Sequence, residues 1–286
     1  MKVYPQCIPC LINQGLNAVK KLGLTKEQEK EIATRSLKML AQFENLERSP
    51  AYYAYFVQQI VKEVTNNPDP FREQKKLANK VALSLLPEFM QYIHSQTDKL
   101  AYAIRLSALG NYIDFAIRGE FNVKEEIERL IDTDFAVWDY KVFLKKLESA
   151  TKVLIIGDNA GEIALDKVLV KQLKDFGKNV IYAVKSAPIL NDATVEDAYE
   201  VSMTRLCRVV ENGSDKVGTW LEDCSEEFLE AFYSSDIVIS KGQANFETLS
   251  DVDRDVFFLL VAKCEPIASE SGGKVKNFVF KYKGSK

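Results

Sequence analysis

Residues 157–162 read GDNAGE and directly follow the apolar run VLII at 153–156. Carboxylate and amide oxygens in such a cluster suit a hard divalent cation, which keeps positions open for water and for phosphate. Asp158, Asn159 and Asp192 would together offer two carboxylates and one amide oxygen. A phosphate ester bound there brings further negative charge, which Lys241 and Lys263 are placed to balance. In KGQANFE at 241–247 a lysine, two amides and an acid follow another apolar run, so Asn245 and Glu247 are candidate substrate contacts. Glu162 is the candidate to orient a water. Aspartate and asparagine also cap helices and tolerate turns, so the spacing alone leaves a purely structural reading open.

Elements that would position these groups follow Thr151. Candidate strands fall at 152–157, 180–185, 206–212, 236–242, 255–264 and 275–282, with helical segments between several of them. Short, continuous apolar strands separated by helices predict an α/β fold with a mainly parallel sheet covered on both faces. Ligands in such folds bind beyond the carboxyl ends of the strands, near a switch in strand order. The order itself is not written in the sequence. Up to about residue 149 the apolar residues recur every three or four positions, which predicts helices. Thr25 and Gln28 have the spacing of a capping box, and NNPDP at 66–70 breaks the pattern. Two domains are therefore expected: residues 1–149 as a helical bundle or cap, and residues 150–286 as an α/β/α metal-binding catalytic domain.

Composition excludes several classes. The chain has 286 residues and a net charge of −3, from 38 basic and 41 acidic side chains. That balance gives no general reason to bind nucleic acid. No charge-free apolar stretch reaches the length of about 18 residues that suggests a membrane span, and the amino terminus lacks signal-peptide features. A cytoplasmic protein with no membrane or nucleic-acid partner is expected, and the oligomeric state is not legible. Neither a dinucleotide fingerprint nor a P-loop follows an expected strand. Any histidine chemistry must run through His94, the single histidine, which is expected at a helix end. The five cysteines are an odd set, unlike a secreted disulfide framework. Cys7 and Cys10 have the spacing of a structural pair, a second metal or partner site, or a redox pair. Asn111 and Asp114 interrupt an apolar helix and are candidates to bind substrate or water. The aromatic residues of AYYAYF at 51–56 are expected to pack between helices.

GDNAGEIALDKVLVKQL, KSAPILNDATVEDA, SKGQANFETLS and FFLLVAKC resemble the metal-dependent damage-control phosphatase family, long catalogued as domain of unknown function 89. PQCIPCLINQ, NPDPFREQKKLAN and ALGNYIDFAI extend the likeness over nearly the whole chain. The resemblance implies a helical amino-terminal domain beside a Rossmann-like α/β/α domain, with chemistry at their cleft. It implies that Asp158, Asn159 and Asp192 bind a divalent metal (manganese, magnesium, cobalt or nickel) and that Lys263 contacts phosphate. Leu260 and Val261 stand where the sugar-phosphate branch has arginine and threonine, while the CxxC resembles the cysteine-bearing prokaryotic branch. The implied activity is hydrolysis of small phosphorylated metabolites, phosphomonoesters that include damaged or surplus ones, by a water or an aspartate nucleophile. The alternatives are a metal-dependent phosphoryl or glycosyl transferase and a non-catalytic binder of phosphometabolites.

Overall fold

The computed structural model describes residues 1–110, 125, 128, 129 and 131–285. Five helices open the chain: α1 (Cys7–Leu22), α2 (Lys26–Leu40), α3 (Pro50–Thr65), α4 (Arg72–His94) and α5 (Lys99–Leu109). Thr25 accepts from the Gln28 backbone while the Gln28 side chain accepts from the Thr25 backbone, the capping box read from the sequence. Helix α3 starts with Pro50 in its first turn and ends at Asn66 in the left-handed region, φ 47°. The apolar stripes of α1–α3 close on each other through Ala18, Ile32 and Val61, with Phe71 from the start of α4 packed among them. A neighbouring cluster of Leu11, Tyr53 and Ala54 also takes in Ile189 and Val217 from the other half of the chain. The aromatics at 51–56 pack as expected, with Tyr53 buried and the Tyr52 and Tyr53 rings edge-on to Phe43.

The carboxyl-terminal half alternates strand and helix. Its elements are β1 (Val137–Trp138), α6 (Tyr140–Ser149), β2 (Lys152–Ile156), α7 (Glu162–Asp175), β3 (Asn179–Val184), α8 (Val195–Glu200), β4 (Arg208–Glu211), α9 (Glu226–Ser234), β5 (Ile237–Lys241), α10 (Gln243–Leu249), β6 (Val256–Val261), α11 (Glu265–Ser271) and β7 (Phe278–Lys283). The seven strands lie in the order β1-β7-β6-β5-β2-β3-β4. Every pairing is parallel except β6 with β7. All six expected strands form. Strand β1 was not expected, because two residues are too short to show a period.

Alternation along the strands divides the core. Val153, Ile155, Val180 and Tyr182 face α4–α7, whereas Leu154, Ile156, Ile181 and Ala183 face α9–α11. Each such fully buried aliphatic or aromatic side chain contributes about 1.5–3 kcal/mol. Helices α4 and α5 pack on α7, and β1 with α6 joins the sheet from before residue 150, so one core runs across the expected division. Among the described residues, no helix is long and apolar enough to cross a membrane.

Helix α4 also grips the loops beyond the sheet. The Asn79 oxygen accepts from the Gly161 amide at 2.7 Å, while its nitrogen donates to Asp197 at 2.9 Å and Glu200 at 2.8 Å. One turn earlier, Lys75 donates to Asp197 at 3.2 Å and lies 3.6 Å from Asp69. Asn79 is fully buried, so an unpaired group left there has no water to replace its partner. Asn79→Ala is expected to lower stability by about 2–3 kcal/mol. Urea unfolding followed by circular dichroism measures this, and a loss below about 0.5 kcal/mol would show that the grip is not structural.

Candidate active site

Asp158 and Asn159 stand just past the carboxyl end of β2, and Asp192 lies in the loop that follows β3. Backbone pairing between the two loops brings them together. Asn159 and Asp192 form a short antiparallel bridge. The Ala193 amide donates to the Asp158 carbonyl and the Ala160 amide to the Asn191 carbonyl, each at 2.8 Å. The chain runs β2-β3-β4 in one direction and returns to place β5 on the other side of β2. Asp158 therefore lies at the switch in strand order, where an open parallel sheet leaves a crevice.

Gly242, which follows β5, closes that crevice against Asp158. Its φ is +83°, and a Cβ built there would stand 2.1 Å from Asp158 Oδ2. Both its backbone and its lack of a side chain are required for the carboxylate to sit where it does.

The electrostatics match a cation site. Burial, then Glu162 and Asp192, push the Asp158 carboxyl well above the usual carboxylate range, while Lys263 and Lys241 oppose them. Burial likewise raises Asp192, to about 6, against the pull of Lys185 and Lys75. Lys185 lies 3.8 Å from Asp192 but donates to the carbonyls of Lys216 and Gly218. Crowded acids that resist ionisation gain most from a nearby positive charge, and carboxylate and amide oxygens are donors of the type that hard divalent cations take. Among the described residues no three His, Cys, Asp or Glu side chains form a metal-holding group; the donor set at the crevice has an amide as its third member.

The structure redistributes the other expected residues. Lys263 is exposed, and its charge acts on both Asp158 and Asp192, as a phosphate contact requires. Lys241 is not free to meet substrate. Its ammonium is 1% exposed and donates to Glu162 at 2.9 Å and to Asp166 at 2.7 and 2.8 Å. Burial works against that charge, but Asp166 and Glu162 hold it above the usual lysine range. Glu162, 1% exposed, accepts from Asn159 on its other oxygen at 2.7 Å, so both of its oxygens are engaged by protein groups. Asn245 is buried and donates to the carbonyls of Gly157 and Lys241, so it braces the strand ends from behind. Asn111 and Asp114 lie outside the described residues.

Glu247 belongs to a different place. With Cys7, Cys10, Cys264 and Gln243 it lines a small cavity between α1, α10 and α11. One of its oxygens accepts from the Ala51 amide at 2.8 Å and the other from Gln243 at 3.1 Å. All five cysteines are free thiols, and burial pushes Cys7, Cys10 and Cys264 above the ordinary thiol range.

Sequence reasoning assigned no role to Asp166, Lys75 or Asn79. A signal existed for Asp166, since Glu162 and Asp166 are four apart on an otherwise apolar helix and so share its buried face. Lys75 and Asn79 are likewise four apart in α4, and both project to α8 and its loop.

Two outcomes follow. Gly242→Ala is expected to displace the Asp158 carboxylate and to cost about 1–3 kcal/mol, because its φ of +83° and ψ of 162° suit essentially glycine alone. A crystal structure of the variant with Asp158 unmoved would contradict this. Burial raises Glu247 from 4.5 to about 7 against Gln243, the Ala51 amide and the terminal ammonium. The folded state thus holds this proton more tightly than the unfolded chain. Its stabilising effect is complete below the unfolded value, falls between pH 4.5 and about 7, and changes no further above that. Glu247→Gln is expected to flatten thermal stability across that window relative to the parent.

Known proteins resemble this chain in sequence and fold over nearly its whole length. The damage-control phosphatase ARMT1-like domain model matches residues 3–278. A damage-control phosphatase of Pyrococcus horikoshii is 32% identical over 273 residues, covering 94% of each chain. A damage-control phosphatase of Archaeoglobus fulgidus is 32% identical over 289 residues, covering 98% of this chain and 99% of the relative. The crystal structure of a DUF89 family protein from Pyrococcus horikoshii superposes with a TM-score of 0.88 at 31% identity and 98% coverage of both chains. With the expected motifs, the same sheet and near-complete coverage, this chain belongs to the ARMT1-like damage-control phosphatase family.

Proposed function

We propose that the protein is a cytoplasmic, divalent-metal-dependent phosphatase that hydrolyses small phosphomonoesters, including damaged or surplus phosphometabolites. The observation that carries this reading is the convergence of Asp158, Asn159 and Asp192 at the switch in strand order, with the exposed Lys263 acting on both carboxylates. The family supports phosphatase chemistry, and two relatives carry the name damage-control phosphatase.

Asp158, Asn159 and Asp192 are the residues that would hold the cation. Manganese, magnesium, cobalt or nickel bound there would supply charge that polarises the phosphoryl oxygens and acidifies a water. Lys263 receives the phosphate oxygens and stabilises their charge as the bond to the leaving group breaks. Lys185 sits beside Asp192 and keeps that acid available as an anion. Asn79 fixes the Gly161 amide, and with it the start of α7 behind the crevice. The helical half braces the loop before Asp192, where Lys62 of α3 donates to the Pro188 carbonyl at 2.6 Å and Ile189 packs with Leu11 and Tyr53.

Chelated protein is expected to release no phosphate from an aryl phosphate or a phosphometabolite panel, and added manganese, magnesium, cobalt or nickel is expected to restore release. Asp158→Asn is expected to reduce the restored rate at least about 100-fold. Equal phosphate release with and without metal, or full activity in Asp158→Asn, would reject the proposal.

A further inference from the structure

The amide of Asn159 can serve a cation only through its oxygen, because its nitrogen carries two N–H donors and no lone pair for a metal. Left free, an asparagine amide turns about its last torsion and offers either end. Here both donors are committed. Asn159 Nδ2 donates to Asp158 Oδ2 at 3.1 Å and to Glu162 Oε1 at 2.7 Å. The oxygen is the only pole that remains to be offered.

Glu162 is itself fixed from behind. Its second oxygen accepts from Lys241 at 2.9 Å, so a rotation that swapped its oxygens would return the same arrangement. Lys241 is held by both oxygens of Asp166, and Asp166 also accepts from Ser107 and Tyr182, each at 2.6 Å. The whole chain of contacts is buried. Two carboxylates and one ammonium in a dry core add little stability over well-packed apolar side chains, so stability alone does not account for them. What they do provide is a pure acceptor, locked in place, 2.7 Å from the amide nitrogen of Asn159.

We propose that Glu162, anchored by Lys241 and Asp166, is a positioning residue that sets the orientation of the Asn159 amide and so presents its oxygen to the bound cation. This rests on the cation site proposed above. It gives Glu162 and Lys241 a role that needs no contact with substrate, consistent with their burial.

The test is a double-mutant cycle on Asn159 and Glu162, read by Mn2+ binding in a calorimeter, with thermal unfolding of each metal-free variant measured alongside. In Glu162→Gln, Lys241 captures the new amide oxygen and leaves an N–H2 group facing Asn159. The asparagine then turns its oxygen inward and its nitrogen toward the cation, and Mn2+ binding is expected to weaken about 10–100-fold. Asn159→Asp in the parent sets carboxylate against carboxylate and is expected to weaken binding. The same change in the Glu162→Gln background restores a matched donor and acceptor with an oxygen on each side, and is expected to strengthen binding.

That reversal of sign between backgrounds is the signature of positioning. If Asn159→Asp changes Mn2+ affinity equally in both backgrounds, the added charge explains everything and the proposal is overturned. If Glu162→Gln lowers the metal-free melting temperature but leaves Mn2+ affinity intact, the network is structural only and the proposal is again overturned. A parent protein that binds no Mn2+ would reject the cation site and this inference together. Tight Mn2+ binding with the expected reversal, but no phosphate release from any substrate, would reject the phosphatase reading and uphold the positioning role.

Discussion

A lysine ammonium buried between two carboxylates is the constraint around which the crevice is arranged. Lys241 ends β5, while Glu162 and Asp166 occupy successive turns of α7. Their contact ties the strand on one side of the topological switch to the helix that follows the strand on the other side. Removing the lysine would leave two carboxylates buried side by side with no counter-charge, the situation in which a broken buried ion pair costs most. The position of α7, and with it the Gly161 turn and the Asn159 amide, is held by this ion cluster together with the packing of α7 on α4 and α5 and the Asn79 bond to Gly161. Tyr182 and Ser107 extend it to β3 and α5 through Asp166.

The fold was largely legible because its signals are local. Continuous apolar runs such as VLII and FFLLV mark strands buried on both faces, and helices between them favour parallel pairing, which only β6 with β7 departs from. The capping box at Thr25 and the break at NNPDP are likewise short-range. Strand order and the two-residue strand β1 were not legible, since pairing is decided by contacts far apart in sequence and β1 is too short to show a period. The helical half was readable as helices, but its attachment was not. Lys75 and Asn79 look like ordinary polar residues of an amphipathic helix until α8 and the Gly161 turn are placed against them.

The site divided along the same line. Asp158, Asn159 and Asp192 were legible because strand ends in a parallel sheet share one edge, so residues distant in sequence are forced together. Lys241 was misplaced because a lysine after a strand reads as a charge for a ligand. Only the helix register shows two acids waiting for it inside the protein. Asn245 and Glu247 belong to a helix of seven residues, and two positions along it, about 200° of rotation, carry one behind the strand ends and the other into the thiol-lined cavity. Sequence proximity to Lys241 therefore did not mean a shared task.

The grip of Asn79 on Gly161, Asp197 and Glu200 bears on how the two halves move. A helix that accepts from the Gly161 turn and donates to α8 cannot swing away as a hinged cover without stripping several buried hydrogen bonds at once. Opening by rigid rotation of the helical half would also pull Gly161 out of register with α7. Docking of the helical half and the shape of the Gly161 turn are thus coupled, because disturbing either one strips bonds from the other.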